Sequence, residues 1–350
     1  MLRPGLTRFL LAFLIIIYHL SQSIFMGDFA VGCFFILSGY WISLMYEKKY
    51  SNFQNPLKVY YISRIWRLMP VFYIFTIIAL IVNVILSTTL MYRIIHESFV
   101  DNLIFIISNI FIIGYSSSKY RLIGPAWSLD MEMQFYLLFP LLLNLFKKNS
   151  QNRYLKLGVV LLITASFTFY LVDVAFLKFT FFRFIYLFLT GILVYNYEFS
   201  FKSQTLRVSQ YILLITVVLN ITIPALAIYS RQPDTPYFRN LSFVLILLAI
   251  PSLIASVNRE TNKRDKFWGE MSFVVYLSHW IWLTPYNLLI ANGSKISRLP
   301  YVLGFITVTF LSSYLIYKFI DRPSEKIRQR WIKKQLLKPI LQSAPTNSLT

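Results

Sequence analysis

Residues 6–46 read LTRFLLAFLIIIYHLSQSIFMGDFAVGCFFILSGYWISLMY, and this stretch decides the fold class. It contains two apolar runs, 6–25 and 29–46, with only a short link between them. A helix needs about 20 mostly apolar residues to cross the hydrocarbon core of a bilayer. The first run has no small-residue cleavage motif after it, so we do not interpret it as a removed signal peptide. The stretch predicts two consecutive membrane-spanning helices.

The same pattern continues along the chain and predicts about ten spans in an all-α polytopic membrane protein. The predicted spans are 6–25, 29–46, 69–88, 127–146, 155–173, 179–197, 209–228, 240–257, 268–290 and 300–320. The apolar segment 103–115, at about 13 residues, is short for a crossing. Backbone at membrane depth that does not span must lie within protein or near the interface, so we predict a re-entrant or interfacial segment there.

The composition excludes a soluble enzyme. Hydrophobic residues make up 57% of the chain and charged residues 14%, whereas soluble domains carry about 25% charged residues. The net charge of +20 would suggest nucleic acid in a soluble protein. Here the basic residues lie in short loops between apolar runs, so they indicate membrane orientation, and no nucleic-acid partner is predicted.

The distribution of Lys and Arg predicts that both termini are cytoplasmic. With ten spans and the N-terminus inside, most basic residues fall in cytoplasmic loops, as the positive-inside rule requires. An eleventh crossing would move the lysine-rich end of the chain outside. We therefore predict a transmembrane domain over 1–320 and a basic cytoplasmic tail over 321–350. The tail begins DRPSEKIRQRWIKK, a pattern typical of an amphipathic helix on an anionic leaflet.

The sequence offers few metal ligands. There is one cysteine, Cys33, and there are three histidines, His19, His96 and His279. A single cysteine forms neither an intramolecular disulfide nor a thiolate metal cluster. The chain also lacks H-E-x-x-H and G-x-x-x-x-G-K, which excludes a zinc protease and a P-loop nucleotidase of the usual kind. We predict no metal.

Two basic residues in the first span mark a candidate functional face. Arg8 and His19 are eleven residues apart, close to three helical turns, so they lie on one face with a rise of about 16 Å. Arg8 then lies at the cytoplasmic surface and His19 just past the middle of the bilayer. A neutral imidazole at that depth is a good proton acceptor. The alternative interpretation is an interfacial arginine and a buried, hydrogen-bonded histidine.

Arg64 and Arg67 form a second candidate. An i, i+3 pair shares a helix face, and two guanidiniums together could bind a phosphate or carboxylate. Ordinary membrane anchoring beside the aromatic residues around Tyr60 remains an alternative.

Further candidates lie in two later spans. Trp127 marks the outer interface, and Glu132 is five residues deeper in an apolar helix, where a carboxylate needs a partner. It could orient a histidine, bind a sugar hydroxyl or pair with an arginine, or it could be structural. Asp130 lies nearer to water. His279 shares a face with Ser272 and Tyr276 and lies near mid-depth, where a packing role is equally possible.

Taken together, these segments resemble the membrane acyltransferase-3 family, which includes O-acetyltransferases of surface glycans. The motifs that carry the resemblance are R-x10-H at Arg8 and His19, GDFAVGCFFILSGYWI at 27–42, RIWR at 64–67, WSLDMEMQFYLLFP at 127–140, YLSH at 276–279 and DRP at 321–323. They occur in the order of the family and cover nearly the whole chain. The opening LRPGLTRFLLA and the DRP motif depart from commoner family patterns, which leaves the subfamily and the acceptor open.

The resemblance implies helices around a central cavity and transfer of an acyl group, most often acetyl, from cytoplasmic acyl-CoA to a hydroxyl of a cell-surface or lipid-linked glycan. It implies the inner (plasma) membrane of a bacterium as the location. In this interpretation Arg8, Arg64 and Arg67 bind acetyl-CoA. His19 is the general base or forms an acyl-histidine, and Glu132 orients it or the acceptor. Trp127, Asp130 and His279 contact the substrate.

Three other functions remain open at this level. A transporter or flippase of a lipid-linked glycan also needs buried charges, but it would work without acyl-CoA. A non-catalytic scaffold would tolerate loss of His19. Another family of membrane O-acyltransferases also uses a histidine, but that residue lies far along the chain, which the early R-x10-H disfavours.

Overall fold

The computed structural model of the protein describes residues 2–20, 26–86, 88–145, 160, 162–168, 180–198, 201–229, 236–290 and 298–342. Within these ranges the regular structure is entirely helical and contains no strand, which confirms the all-α prediction. The α-helices are α1 (Pro4–Leu20), α2 (Gly27–Lys48), α3 (Pro56–Ile85), α4 (Thr89–Ile95), α5 (Phe99–Phe111), α6 (Trp127–Leu145), α7 (Ile185–Asn196), α8 (Ser203–Tyr229), α9 (Pro236–Val257), α10 (Lys263–Ile290), α11 (Leu299–Ile316) and α12 (Arg322–Gln342).

The first helix is fixed to α10 at its start. Pro4 opens α1, a position where its missing N–H costs nothing. The next two backbone N–H groups, of Gly5 and Leu6, donate to the Asp265 carboxylate at 3.0 and 2.9 Å. A carboxylate there satisfies donors without intrahelical partners and complements the positive end of the helix dipole. α1 then packs along α10, so residues on one face of α1 meet α10 successively.

Two glycines allow α2 to cross α7 at close range. A Cβ on Gly39 would overlap the carbonyl oxygen of Phe188, and a Cβ on Gly191 would overlap that of Ile36. Small residues of this kind let the backbones of membrane helices approach one another. Gly39 thus serves helix packing.

Among the described residues, three helices are long and apolar enough to cross a membrane: Gly27–Asn52, Pro56–Ile85 and Leu299–Leu336. Shorter apolar helices occur at Pro4–Leu20, Phe99–Phe111, Ile185–Asn196, Ser203–Leu219 and Ser242–Val257. Ten spans therefore remain a prediction. Most of the predicted span 155–173 lies outside the described residues.

The short apolar segment after α4 forms a helix and then reverses. α5 has 13 residues, about 20 Å of helix, and therefore less than the hydrocarbon thickness. It ends at Ile112, whose φ of 65° breaks the helical path. The chain then turns inward, and Tyr115 is fully buried. The predicted short segment is thus a helix followed by a return into the protein.

No break separates the last predicted span from the predicted tail. α11 passes through a π-helical turn, Tyr317–Asp321, directly into α12. The start of α12 packs on α3, where the Trp66 indole N–H donates to the Ser324 hydroxyl at 3.1 Å. Ile332 is also buried, at 1% exposure. The first half of the tail is therefore part of the helical body, while residues 343–350 lie outside the described ranges.

Candidate active site

Three of the cavities among the described residues are neighbours, because they share wall residues. The arginine cavity, about 260 Å³, is lined by Arg8, Arg64, Arg67 and Glu132 among others. The N-terminal cavity, about 240 Å³, lies at the start of α1 and shares Arg8, Trp41 and Arg67 with the arginine cavity.

The third cavity lies on the other side of the arginine cavity. The tryptophan cavity, about 270 Å³, is lined by Asp28, Arg121, Trp127 and Arg183 among others. Val31 and Phe35 line both it and the arginine cavity. Because neighbouring cavities share wall residues, only a few side chains separate each from the next.

The two arginines of the RIWR motif have different environments. Arg67 forms an ion pair with Asp321, with 2.7 Å between Nη1 and Oδ1. The Arg64 guanidinium lies over the rings of Tyr50 and Tyr136, at 5.5 and 5.8 Å from their centroids. Its Nε is buried and has no hydrogen-bond partner within the described part of the chain. The pair is therefore not a symmetric fork: Arg67 is neutralised by a carboxylate, and Arg64 is the arginine with spare donor capacity.

Trp41 contributes another spare donor at the boundary between two cavities. Its ring lines both the N-terminal and the arginine cavity. Its indole N–H is buried and finds no acceptor among the residues that the structure describes. A buried donor left unpaired costs about 1–3 kcal/mol, so a ligand acceptor at this boundary would be favoured.

Glu132 lines the arginine cavity and is held by two hydroxyl groups. The Ser38 hydroxyl donates to its Oε1 at 2.9 Å, and the Tyr136 hydroxyl donates to the same oxygen. A carboxylate beside the guanidiniums of this cavity offsets part of their positive charge. None of the hydrogen bonds among the described residues joins it to His19, so the structure places Glu132 with the arginines.

Asp130 organises the loop before α6. Its carboxylate accepts backbone N–H bonds from Gly114 at 3.0 Å and Ser116 at 2.7 Å, and one from the Gln134 side chain at 2.8 Å. Asp130 is fully buried and is not in the wall of any of the three cavities. Trp127, three residues earlier, does line the tryptophan cavity.

A second set of contacts holds the same loop before α6, and it comes from Glu97, which follows α4. The Glu97 carboxylate accepts from the Lys119 ammonium and, at 2.5 Å, from the Tyr120 hydroxyl. These hydrogen bonds lower the pKa of Glu97 below its ordinary value, that from Lys119 foremost. The contact holds the segment that carries Arg121 against the end of α4.

His19 and His279 form a stacked pair at the end of α1 opposite Arg8. Their ring centroids are 5.3 Å apart and their planes differ by 27°. The Trp280 ring meets His19 edge-on at 5.2 Å. His279 is fully buried, and its Nε2 has no hydrogen-bond partner among the described residues. Tyr276, three residues before His279 on α10, lies between the histidine pair and the arginine cavity. It lines that cavity, and its ring centroid is 6.1 Å from that of His279.

The histidine pair lies beside segments that lead to the tryptophan cavity. Tyr18, next to His19, packs against Gly27, where a Cβ would be 2.7 Å from the tyrosine ring. Trp280 similarly leaves no room for a Cβ on Gly124. Gly27 precedes Asp28, and Gly124 lies three residues before Trp127. His19 itself is half-buried and is not in the wall of any of the three cavities.

Arg328 is a further residue of the site, and none of the sequence motifs pointed to it. Arg328 lines the arginine cavity. It forms two hydrogen bonds to Glu325, at 2.8 and 2.6 Å, and also donates to the Ser63 hydroxyl. Its spacing from Asp321 is seven residues, two helical turns, so the common face of these two residues was a usable signal.

Metal ligation has no support among the described residues, where no group of three or more His, Cys, Asp or Glu side chains could hold an ion. The polar groups of the site are guanidiniums, imidazoles, hydroxyls and several carboxylates, among them Asp28 and Glu132. Such groups can bind an anion and transfer a proton.

Comparison with known proteins identifies the family. A family model described as "Acyltransferase domain" matches residues 4–318. A protein of Staphylococcus aureus (strain COL) named "Putative O-acetyltransferase" is 26% identical over 346 residues, which cover 89% of this chain and 55% of that protein. "Peptidoglycan O-acetyltransferase OatA" of Listeria monocytogenes is 32% identical over 162 residues, 44% of this chain and 26% of that protein. No solved structure matches.

The chain belongs to this acyltransferase family, because the family model covers nearly all of it. This confirms the resemblance drawn from the order of its motifs. With its apolar helices, family membership also makes it a membrane protein. The chain spans about half of the length of the S. aureus relative that it matches over most of its own length.

Proposed function

We propose that the protein transfers an acetyl group from acetyl-CoA to a hydroxyl of a cell-surface or lipid-linked glycan. Family membership supports acyl transfer, and the names of the relatives support O-acetylation. The observation that carries the assignment of roles is the arrangement along α1. Arg8 at one end lines two neighbouring cavities with Arg67, and His19 at the other end stacks on His279.

The donor enters from the start of α1. Arg8, Arg64, Arg67 and Arg328 line the arginine cavity, and guanidiniums suit the phosphates of coenzyme A. Arg64 provides the principal contact, because among the described residues its Nε is unpaired and no carboxylate forms an ion pair with it. The Trp41 N–H donates to a phosphate or carbonyl oxygen as the donor passes into the arginine cavity. The pantetheine arm then extends toward the histidine pair, about 16 Å from Arg8 along α1.

His19 acts as general base. The acceptor hydroxyl attacks the thioester carbon while His19 takes its proton. The new C–O bond forms, the C–S bond breaks, and the proton passes from the imidazole to the thiolate of coenzyme A. In the alternative sequence His19 attacks first and the acyl-histidine is then cleaved by the hydroxyl. His279 holds the His19 ring in place through stacking and contacts the acceptor through its free Nε2.

The membrane orientation follows from this direction of transfer. With both termini in the cytoplasm and ten spans, the N-terminal cavity faces acetyl-CoA and the tryptophan cavity faces the outer side. The basic face of α12 then lies near anionic lipid of the inner leaflet. A reporter fused at Lys338 should give a cytoplasmic signal, and an external signal would overturn this orientation.

The direct test replaces His19 by Ala, with His96→Ala as the matched control. His96 is an exposed histidine outside the three cavities. His19→Ala should lower transfer by about 10²–10⁴-fold, the range for a general base, and His96→Ala should leave it unchanged. Purified protein in lipid nanodiscs would be given acetyl-CoA, and released thiol and glycan mass would both be followed. Near wild-type transfer by His19→Ala would refute the base role.

The same assay distinguishes a flippase, for which the presence of three neighbouring cavities is the favouring observation. A flippase would move the glycan without acetyl-CoA and leave its mass unchanged. Consumption of acetyl-CoA coupled to an acetylated product supports the transferase, whereas acetyl-CoA-independent movement of unmodified glycan supports the transporter.

A further inference from the structure

A pair of hydroxyl groups lies where the wall of the arginine cavity meets the histidine pair. Ser128 of α6 and Tyr276 of α10 both line the arginine cavity, and both are buried. The centroid of the Tyr276 ring is 6.1 Å from that of His279, which in turn stacks on His19. In the proposed function the acyl end of the donor passes this point on its way to His19, yet neither hydroxyl has a role in that reaction.

The contacts of this hydroxyl pair outnumber its protons. The two hydroxyl oxygens are 2.7 Å apart, and the Pro125 carbonyl oxygen lies 2.7 Å from the Tyr276 hydroxyl and 3.1 Å from the Ser128 hydroxyl. Each hydroxyl has one proton to donate, so two protons serve three contacts. One proton is enough to satisfy the Pro125 carbonyl. The other can therefore turn to a ligand without leaving a buried backbone acceptor unpaired.

Three other hydroxyls of the arginine cavity lack this freedom. The Ser38 and Tyr136 hydroxyls both donate to the Glu132 carboxylate. The Ser272 hydroxyl donates to the Gly269 carbonyl oxygen at 2.8 Å. Each of these protons would have to leave an acceptor of its own to reach a ligand, at a cost of about 1 kcal/mol. Of these five hydroxyls, only the pair has a proton on which no acceptor depends.

The hydroxyl pair is also held in position by its surroundings. Pro125 belongs to the 3₁₀ turn Gly124–Ala126 before α6, and this turn packs on α10. The ring of Trp280, one helical turn after Tyr276, leaves no room for a Cβ on Gly124. A donor that is oriented in advance stabilises developing charge without reorganisation of the protein during the reaction.

We infer that the Ser128–Tyr276 pair directs its spare proton, in a hydrogen bond, at the carbonyl oxygen of the donor thioester. When the acceptor hydroxyl attacks, its oxygen bonds to the carbonyl carbon and the C=O electron pair moves onto the carbonyl oxygen. The hydroxyl pair keeps its proton and stabilises this negative charge. The electron pair then returns, the C–S bond breaks, and His19 passes the proton of the acceptor to the thiolate. The inference rests on the proposed function for the reaction in which the pair acts.

Removing either hydroxyl should abolish the spare proton, because the hydroxyl that remains is held by Pro125. Ser128→Ala and Tyr276→Phe should each lower the turnover number by about 10²-fold, a usual cost of losing one oxyanion donor. The KM for acetyl-CoA should stay near wild type, because a neutral thioester carbonyl is a weak acceptor. The double variant should also lose about 10²-fold, whereas two independent donors would lose about 10⁴-fold. A multiplicative loss, or wild-type turnover in either single variant, would overturn the inference.

The infrared band of the thioester carbonyl separates this role from a purely structural one. Acetyl-CoA with an isotope label at the carbonyl carbon would be bound to the full chain in nanodiscs without acceptor. A hydrogen bond lowers the stretching frequency of a carbonyl, so the band should lie lower in wild type than in Ser128→Ala or Tyr276→Phe. Ser43→Ala and Tyr73→Phe are the matched controls, because each removes a hydroxyl that donates to a backbone carbonyl away from the three cavities. Both controls should keep the lowered band and wild-type turnover.

The band also separates this inference from the proposed function. If the band is lowered in wild type and returns to its solution frequency in the two variants, the hydrogen bond is supported. Should no acetylated glycan form in that case, only the proposed function is lost. A band at the solution frequency in wild type would overturn the inference even if acetyl transfer is observed.

Discussion

The two ends of α1 face chemically opposite surroundings. Around Arg8 the structure gathers three further guanidiniums, several carboxylates and several hydroxyls, linked by ion pairs and hydrogen bonds. Around His19 it gathers rings: Tyr18, His279 and Trp280. Charges that bind a polyanion need compensating charges nearby, whereas a proton acceptor works best as a neutral group in dry surroundings. In the proposed function, one helix thus separates binding of the charged donor from transfer of a proton.

The histidine end would be disrupted most by His279→Ala. Loss of the stacked ring should displace His19 from the reacting hydroxyl, and a displacement of about 1 Å can cost about 10²-fold in rate. The turnover number should fall by about that factor, while the KM for acetyl-CoA stays near wild type. A steady-state measurement in nanodiscs separates the two constants, and a change confined to KM would contradict a positioning role for His279.

Substitutions at the arginine end should change the KM for acetyl-CoA and not the turnover number. Arg64→Gln removes a charge-assisted contact worth about 2 kcal/mol, so the KM for acetyl-CoA should rise by about 30-fold. Arg67→Gln should change the KM less, because Asp321 already holds that guanidinium. Saturation curves for the two variants, measured side by side, give the comparison. Equal effects would mean that the two arginines act as one fork after all.

The ion pair between α3 and the π-helical turn should serve stability more than turnover. Asp321 is 3% exposed and its partner side chain 20%, so removing the carboxylate leaves a largely buried guanidinium without its counter-charge. Asp321→Asn should lower the free energy of unfolding by about 1–2 kcal/mol, between the values for exposed and fully buried pairs. Thermal unfolding in detergent measures this change, and an unaltered midpoint would show that the pair is dispensable.

Trp41→Phe should have the smallest effect. The substitution keeps an aromatic ring at the boundary of two cavities and removes only the indole N–H. A neutral hydrogen bond contributes about 1 kcal/mol, so the KM for acetyl-CoA should rise by about fivefold. If the KM is unchanged, the unpaired N–H does not meet the donor, and the boundary is only a packing contact.

The helical class and the family could be predicted from sequence because both depend on local signals. Apolar run length specifies a helix in lipid, and ordered motifs specify a family. The pairing of side chains could not be predicted from the sequence, because it depends on contacts between helices that are far apart in the chain. Arg64 and Arg67 look equivalent at i, i+3 in the sequence. They differ in the structure because Asp321, in the π-helical turn before α12, forms an ion pair with Arg67. The sequence made Glu132 a possible partner of a histidine, but in the structure it accepts a hydrogen bond from Ser38 of α2. The sequence suggested that Asp130 contacts substrate, but in the structure its carboxylate accepts a backbone hydrogen bond from Gly114.

The number of spans was harder because length and hydropathy decide it only for uninterrupted helices. α5 and α7, with 13 and 12 residues, are apolar but short. Their burial or lipid contact depends on neighbours that a sequence window does not contain. The 320/321 boundary was placed where charge begins, yet helical hydrogen bonding continues past it because Asp321 and Arg328 find partners on α3 and within α12.

The π-helical turn at Tyr317–Asp321 sets which face of α12 packs against the rest of the protein. Such a turn accommodates one more residue than the α-helix does, and each α-helical residue corresponds to about 100° of rotation. Deleting a single residue from this turn would therefore restore a uniform helix and leave the following segment in nearly the same phase. Deleting one residue from α12 between the turn and Arg328 would instead rotate Arg328 by about that angle and remove it from the wall of the arginine cavity.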